Sequence, residues 1–541
     1  MFINFSDIPG HQNLFLDYLY EFDKVKSFYK YNFRDREEYP GLFKTVSESP
    51  RGFLGELADI ISKQYSGRKI SSRTERNISL LKNDNTLAVV TGQQLGLIGG
   101  PLYTFYKIIT AIKLSKHLTE RYDDFNFVPV FWLEGDDHDF DEVTWINLLN
   151  ENNELVKIKY NDNAPEDSNR GSVGYVKLQN TINTFFEEMN NNLRGTDFTS
   201  EIMENLRSFY SEGKTFKQAF IELISWLFDK HGLILFDPQD RDLKKLLIPV
   251  FQNAISSFRE HTEKLVNISA TLDEIYHAQV KVRPVNLFYN YEGGRYLIEP
   301  VDNEFKLKGK KKKFTYDELN LLIQQEPEKF SPNVLLRPIC QDYLLPTAFY
   351  VGGPAEIAYF AQVTPLYKSF KVNVPIVYPR SSASLVEKNI SSAIQKFDLK
   401  INEIFADPEK IKEKIVSKMS ADNLADVFDR SSYEIEIVYD KLKEKLFEID
   451  KALSEAVNKY KQNSLNNLNQ LKGKAIEAQK KKYEVSLRQI DKITMNLYPE
   501  QNLQEREVNF IYFANKYGID VIDKIFEELD INVFDHQIIY L

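Results

Sequence analysis

Two polar clusters interrupt otherwise apolar stretches of this chain, and both hold residue types that do chemistry. The first is Thr91–Gly92–Gln93–Gln94, followed by Gly99–Gly100–Pro101–Leu102–Tyr103–Thr104. Glycines after an apolar run let backbone N–H groups turn toward a ligand, and a helix start favours an anion; a tight turn that only closes the strand–helix corner is the alternative. Gln93 and Gln94 are amides at a point where packing residues are usual, and they suit orienting a polar ligand. Lys107 lies one helical turn past Tyr103 on the same face, placed to meet a phosphate or carboxylate; a plain exposed lysine is the alternative. Neither the Walker pattern nor GxGxxG is present. The second cluster, EGDDHDFDE from Glu134 to Glu142, sets acids around His138. It could bind a metal, act as acid and base, or cap the helix that follows. HExxH spacing and a second nearby histidine are both missing, so no metal is expected. Asp137 and His138, with Asp139, suit general-base work on an amine or a thiol.

A third group is Arg337, Gln341, Asp342, Gly353, Glu356, Tyr359 and Gln362. Arg337 follows two leucines, which suggests a partly buried guanidinium facing a carboxylate. Glu356 and Tyr359 share a helix face, with Gln362 one turn on. These residues either bind substrate or form an internal salt-bridge network. Arg380–Ser381–Ser382 either holds a phosphate or caps the helical region behind it. Cys340 sits among apolar neighbours and reads as a core residue.

The elements that must position these groups follow from the apolar pattern. Leu87–Val90 leads through the glycine turn into an amphipathic helix, and Val128–Leu133 forms a second buried strand. This is βαβ grammar, and predicts a Rossmann-like parallel sheet of α/β class. Ligands of such sheets bind beyond the carboxyl ends of the strands, where both polar clusters fall. The same punctuation recurs: Thr347–Val351, then Gly352–Gly353–Pro354, a helix over Ala355–Phe370, and a strand over Val374–Tyr378. Proline is favoured at the first helical position. Two helix starts are therefore expected to face one crevice with a positive potential. His231–Asp237, Val282–Tyr289 and Tyr296–Ile298 are further strand candidates.

Residues 1 to about 80 read as mostly helical, broken by Pro9, Pro40 and Pro50. The core is expected over 1–385, with insertions at about 145–225 and 255–335; the polar loop 161–172 lies in the first of these. From 386 glycine becomes scarce and apolar residues recur at spacings of three and four. Leu442, Leu446, Ile449, Leu453, Ala456 and Tyr460 keep that beat, and Leu468 to Ile490 take it up again. This predicts an antiparallel coiled-coil arm over 386–507, its two halves starting near 386 and 430; two ordinary packed helices are the alternative. The segment 508–541 is expected to return to the core.

With 541 residues, 43% of them hydrophobic, the chain can build a large core and more than one unit. A net charge of −10 argues against nucleic acid as a partner. The basic run Lys306–Lys313 reads as a solvated hairpin or loop. One cysteine rules out an intramolecular disulfide and suits a reducing compartment. No run of about 18 apolar residues and no signal-peptide pattern at MFINFSDIPG are present, so a cytoplasmic protein without a membrane span is expected.

Four segments resemble one family in the right order: TGQQLGLIGGPLYTFYK, PVFWLEGDDHDFDE, LLRPICQDYLLPTAFYVGGPAEIAYFAQ and PRSSASLVE. They are similar to the cysteine-adding enzymes of bacillithiol biosynthesis, and the likeness extends over essentially the whole chain. The resemblance implies a ligase that adds L-cysteine to glucosaminyl-malate, a Rossmann-like core, a coiled-coil arm and a homodimer. A free carboxylate does not condense with an amine unaided in water, so activation is a chemical expectation, most simply by ATP or another nucleotide. Arg380, Ser381 and Ser382 would then hold the leaving group. The two usual signatures of class I adenylate-forming enzymes are absent. The competing readings are a nucleotidylyl-transferase-like enzyme acting on another small amine, and a non-catalytic coiled-coil interaction protein.

Overall fold

The computed structural model describes residues 1–165, 168–405, 407–419 and 424–541. Residues 166 and 167 of the loop 161–172, and 406 and 420–423 of the expected arm, lie outside the described residues. The chain forms two compact units. The first comprises residues 1–6, 10–384 and 502–539, and the second 7–9, 385–501 and 540–541.

The first unit is built on a parallel sheet. Strand β1 runs over Thr86–Gln94, and all but its last two residues are buried. Such a continuous apolar run is what a strand covered on both faces requires. Helix α1 (Tyr103–Arg121) carries the chain to β2 (Asn126–Glu134). Then come β3 (Ile234–Phe236), β4 (Thr347–Gly352), helix α2 (Pro354–Phe370) and β5 (Ile376–Pro379). The sheet order is β5-β4-β1-β2-β3, and every neighbouring pair is parallel. The chain moves outward from β1 through β2 to β3, then returns to lay β4 on the other side of β1. That reversal between β1 and β4 opens the crevice in which doubly wound sheets bind ligands. Across it, the Thr91 hydroxyl donates to the Val351 carbonyl at 2.9 Å. β1 extends further than its apolar run predicts, so Gln93 and Gln94 are its last residues, paired with Leu133 and Glu134 of β2. Gly92 permits this pairing, since a Cβ there would meet the Trp132 carbonyl oxygen at 3.0 Å.

The N-terminal helices pack aromatic rings on the sheet. Phe43 meets Phe127 at 4.9 Å and Tyr39 meets Phe349 at 5.0 Å between centroids, both edge-on. Such pairs add about 0.5–1.5 kcal/mol each beyond the area they bury. The segment Leu287–Pro332 forms an antiparallel sheet of its own, and the basic run lies in and around one of its hairpins.

In the second unit the hairpin arms differ from the expected ones. Helix α3 spans Leu424–Phe447 and α4 spans Lys451–Lys482. The turn falls at 448–450, where Asp450 caps α4 by accepting from the Ala452 amide at 2.7 Å. The beat through Leu446, Ile449 and Leu453 is therefore not one helical seam: Ile449 sits in the turn, 74% exposed. The periodicity continues across the turn because both arms are amphipathic, and spacing alone does not reveal the break. Lys461–Asp440 at 3.0 Å and Lys472–Asp429 at 2.7 Å tie the arms together. Among the described residues no helix is long and apolar enough to cross a membrane.

Candidate functional site

A cavity of about 550 Å³ opens at the carboxyl ends of β1, β2, β4 and β5. That is the size class of small-molecule sites. β1 supplies Gln93 and Gln94, α1 supplies Tyr103 and Lys107, and the turn after β2 supplies Asp137 and His138. Arg337, Gly353, Glu356, Tyr359 and Arg380 complete the set of expected residues on its wall.

At the end of β1, the Gln94 amide donates to Asp137 and to Glu142, each at 2.6 Å. Asp137 also accepts from the backbone amide of His138 at 2.7 Å. Burial alone would raise the Asp137 pKa, but hydrogen bonds from His138 and Gln94 and the Arg295 charge outweigh it. They hold this carboxyl well below the usual range. It is a fixed carboxylate. Arg295 donates to Nδ1 of His138 at 2.8 Å. A guanidinium can only donate, so Nδ1 accepts, and a neutral His138 carries its proton on Nε2. The imidazole therefore offers the cavity a donor.

Glu134, the last residue of β2, is the carboxyl poised to move a proton. Burial pushes its pKa up to about 7, although Arg337 lies 3.6 Å away and opposes the shift. Arg337 is held by Gln341 at 2.9 Å and by the hydroxyls of Tyr359 at 2.9 Å and Tyr350 at 3.2 Å. Lys107 is buried, ion-paired with Glu356, and donates to Gln93 at 2.7 Å. The carboxylate it meets thus belongs to the protein. Glu356 in turn accepts from the Gly353 amide at 3.1 Å.

Seven expected residues do not line the cavity. Gly100 (φ +71°) belongs to a tight turn, and Asn509 donates to its carbonyl at 2.6 Å and to that of Ile98 at 3.0 Å. Asp139 caps the short helix Phe140–Val143 by accepting from the Glu142 amide at 3.2 Å. Gln341 and Asp342 lie behind the wall, where Tyr367 donates to Asp342 at 2.5 Å. Gln362 is buried against Val280 and Ser269. Ser381 donates to the Asp530 carbonyl at 3.0 Å, and Ser382 bonds His536 at 2.7 Å.

Arg380 reaches the wall, but its guanidinium is paired with Glu505 at 2.6 Å. With all three residues of Arg380–Ser381–Ser382 engaged, the donor set there does not fit a nucleotide phosphate. Each helix start has an amide engaged within the protein. The Leu102 amide, just ahead of α1, donates to the Val508 carbonyl at 3.1 Å, and the Glu356 side chain caps α2.

Sequence reasoning did not single out Glu134, Arg295, Tyr350 or Arg506, which all line the cavity. Glu134 stood inside the acidic cluster, and its strand-end position was the available signal. Arg295 follows the Gly293–Gly294 turn, and Arg506 lies far along the chain in a polar helical turn. Neither carries a local signal.

Residues 1–381 match the family described as bacillithiol biosynthesis BshC, N-terminal Rossmann-like domain. Residues 383–541 match its C-terminal coiled-coil domain. A "Putative cysteine ligase BshC" of Salinibacter ruber is 33% identical over 529 residues, covering 97% of this chain and 96% of its own. The protein of the same name from Chloroherpeton thalassium is 33% identical, covering 97% and 96%. That of Chlorobaculum tepidum is 34% identical, covering 88% and 86%.

Proposed function

The chain belongs to the BshC family of bacillithiol biosynthesis, and we propose that its cavity joins the carboxyl of L-cysteine to the sugar amine of glucosaminyl-malate. The observation that carries this reading is Glu134, a carboxyl raised to about 7 on the wall of a substrate-sized cavity. A general base works best with a pKa near the operating pH. In this reading the amine sits against Glu134 and gives up a proton to it as the nitrogen attacks the acyl carbon. The C–N bond forms, the leaving group departs with its electron pair, and Nε2–H of His138 donates to the developing oxyanion. Such preorganised donors act on charge that appears only in the transition state. Asp137, held as a carboxylate, keeps the turn and the imidazole in place. The cysteine enters as an acyl phosphate or acyl adenylate formed beforehand, because its free carboxylate is inert toward amines, and the phosphate or AMP leaves with the C–O electron pair.

Metabolite profiling of a strain lacking the gene tests this directly. Accumulated glucosaminyl-malate with no bacillithiol, restored by wild-type protein, supports the reading. Unchanged bacillithiol, or accumulation of a different precursor, rejects it.

A further inference from the structure

Five basic side chains line the cavity: Lys107, Arg295, Arg337, Arg380 and Arg506. The first four are engaged by the protein. Lys107 pairs with Glu356, and Arg380 with Glu505. Arg295 donates to Ser331 and to the Pro332 carbonyl, both at 2.8 Å. Arg337 is held by Glu134, Gln341 and two tyrosines. Arg506 differs from them: its guanidinium has no partner among the described residues, and it is only half-buried. It lies on the side of the cavity that holds Gly353 and Arg380, residues with which it also lines a second, smaller hollow. Its neighbour Glu505 gives one carboxylate oxygen to Arg380 at 2.6 Å and the other to the Ala383 amide at 3.1 Å, which turns that acid toward those two groups.

We infer that Arg506 is the carboxylate-recognition residue of this cavity, gripping an anionic group of the ligand on the side away from Glu134. An unpaired guanidinium on a cavity wall is a planar fork of donors, and a carboxylate matches it with two parallel hydrogen bonds. The partition of charge supports this. Glu134, Asp137 and Glu142 gather at the ends of β1 and β2 with Arg337 and Arg295 beside them, whereas by Gly353 the Arg380–Glu505 and Lys107–Glu356 charges are paired off and Arg506 remains. A ligand with an amine at one end and a carboxylate at the other is thereby oriented, its nitrogen toward Glu134. Gly353 keeps that side open: a Cβ there would stand 3.1 Å from Nε of Arg380 and 3.2 Å from the Glu356 carboxylate. The inference rests on the reading of this cavity as the substrate site.

Calorimetric titration of the full-length protein with L-malate and, separately, with inorganic phosphate tests it. Arg506→Gln should weaken malate binding about 10- to 100-fold, the loss expected for hydrogen bonds to a charged group. Arg506→Lys should fall between, keeping the charge and losing the fork. Lys311→Gln, which removes an exposed positive charge in the basic run, should bind malate as wild type does. Phosphate should bind weakly and respond little to any of these changes. Malate binding equal in Arg506→Gln and wild type overturns the inference. So does wild-type protein that does not bind malate, or phosphate that binds more tightly and depends on Arg506. Arg506-dependent malate binding by a protein that forms no amide would leave this inference standing and remove the functional reading. Unchanged malate binding in Arg506→Gln, with turnover lost in Glu134→Gln, would do the reverse.

Discussion

Glu134 ends β2 where the sheet hands the chain to the acidic turn, and burial rather than a neighbouring charge sets its pKa. As a base it must be ionised. kcat/KM should therefore fall about tenfold per pH unit below about 7 and be flat above it. Glu134→Gln should remove that limb and cut turnover by roughly 10² to 10⁴. His138→Ala should lower turnover yet leave the limb in place, because Nδ1 is occupied by Arg295. A limb that vanishes in His138→Ala would return the base role to the histidine. The same shift has a stability consequence. The folded pKa of Glu134 lies above its unfolded value of 4.5, so folding favours the protonated form. That contribution is fully present below about pH 4.5 and is lost as pH rises through about 7. Scanning calorimetry should find that Glu134→Gln raises Tm more at pH 8 than at pH 4. Lys107 makes the opposite case. It is buried against Glu356, and Lys107→Met leaves that carboxylate without its partner. A loss of about 3–5 kcal/mol in urea unfolding is expected, and the double variant with Glu356→Gln should recover part of it.

The elements around the site are positioned by contacts distant in sequence. The turn between β1 and α1 holds Ile98 at φ +49° and Gly100 at φ +71°, and Asn509 clamps both carbonyls. Asn509→Ala would leave buried acceptors unmet and release a backbone conformation that a β-branched residue rarely adopts. Hydrogen exchange at Gly99 and Gly100, whose amides bond within this turn, should quicken, while exchange in β3 should not. Equal protection in wild type and variant would show that the turn holds itself. This clamp marks the limit of what the sequence makes legible. The strand–glycine–helix order of Leu87–Lys107 and of Thr347–Phe370 reads directly, because apolar runs and Gly–Pro punctuation are local signals. Gln93, Gln94, Lys107, Asp137, His138, Arg337 and Glu356 stand on the cavity wall because strand ends converge there. Gly100, Ser381 and Ser382 share the same local grammar. Their polar atoms are engaged by Asn509, Asp530 and His536, partners that no spacing rule connects to them. Arg506 is hidden for the same reason: it falls in the stretch read as arm, while the chain is already back in the first unit from 502.

At the scale of the whole molecule, the helical hairpin leaves apolar side chains in solvent. Leu442 on α3 and Leu453 on α4 are each about half exposed, at 47% and 48%. We propose that these side chains, with Phe447 at 61% exposed, contribute to a face through which the hairpin forms a homodimer. Leu442→Asp with Leu453→Asp should give a folded monomer by light scattering, and a persistent dimer would place the interface elsewhere. The fold brings β1, β2, β4 and the returning segment at 502–539 around one cavity, whose wall carries Glu134 at the end of β2 and Arg506 on the returning segment. A crystal structure of the protein soaked with glucosaminyl-malate examines that claim most directly. The sugar nitrogen should lie within about 3.2 Å of the Glu134 carboxylate, with the malate carboxylates directed toward Arg506. Ligand bound outside this cavity, or bound in it with the nitrogen facing Arg506 and the carboxylates facing Glu134, would contradict it.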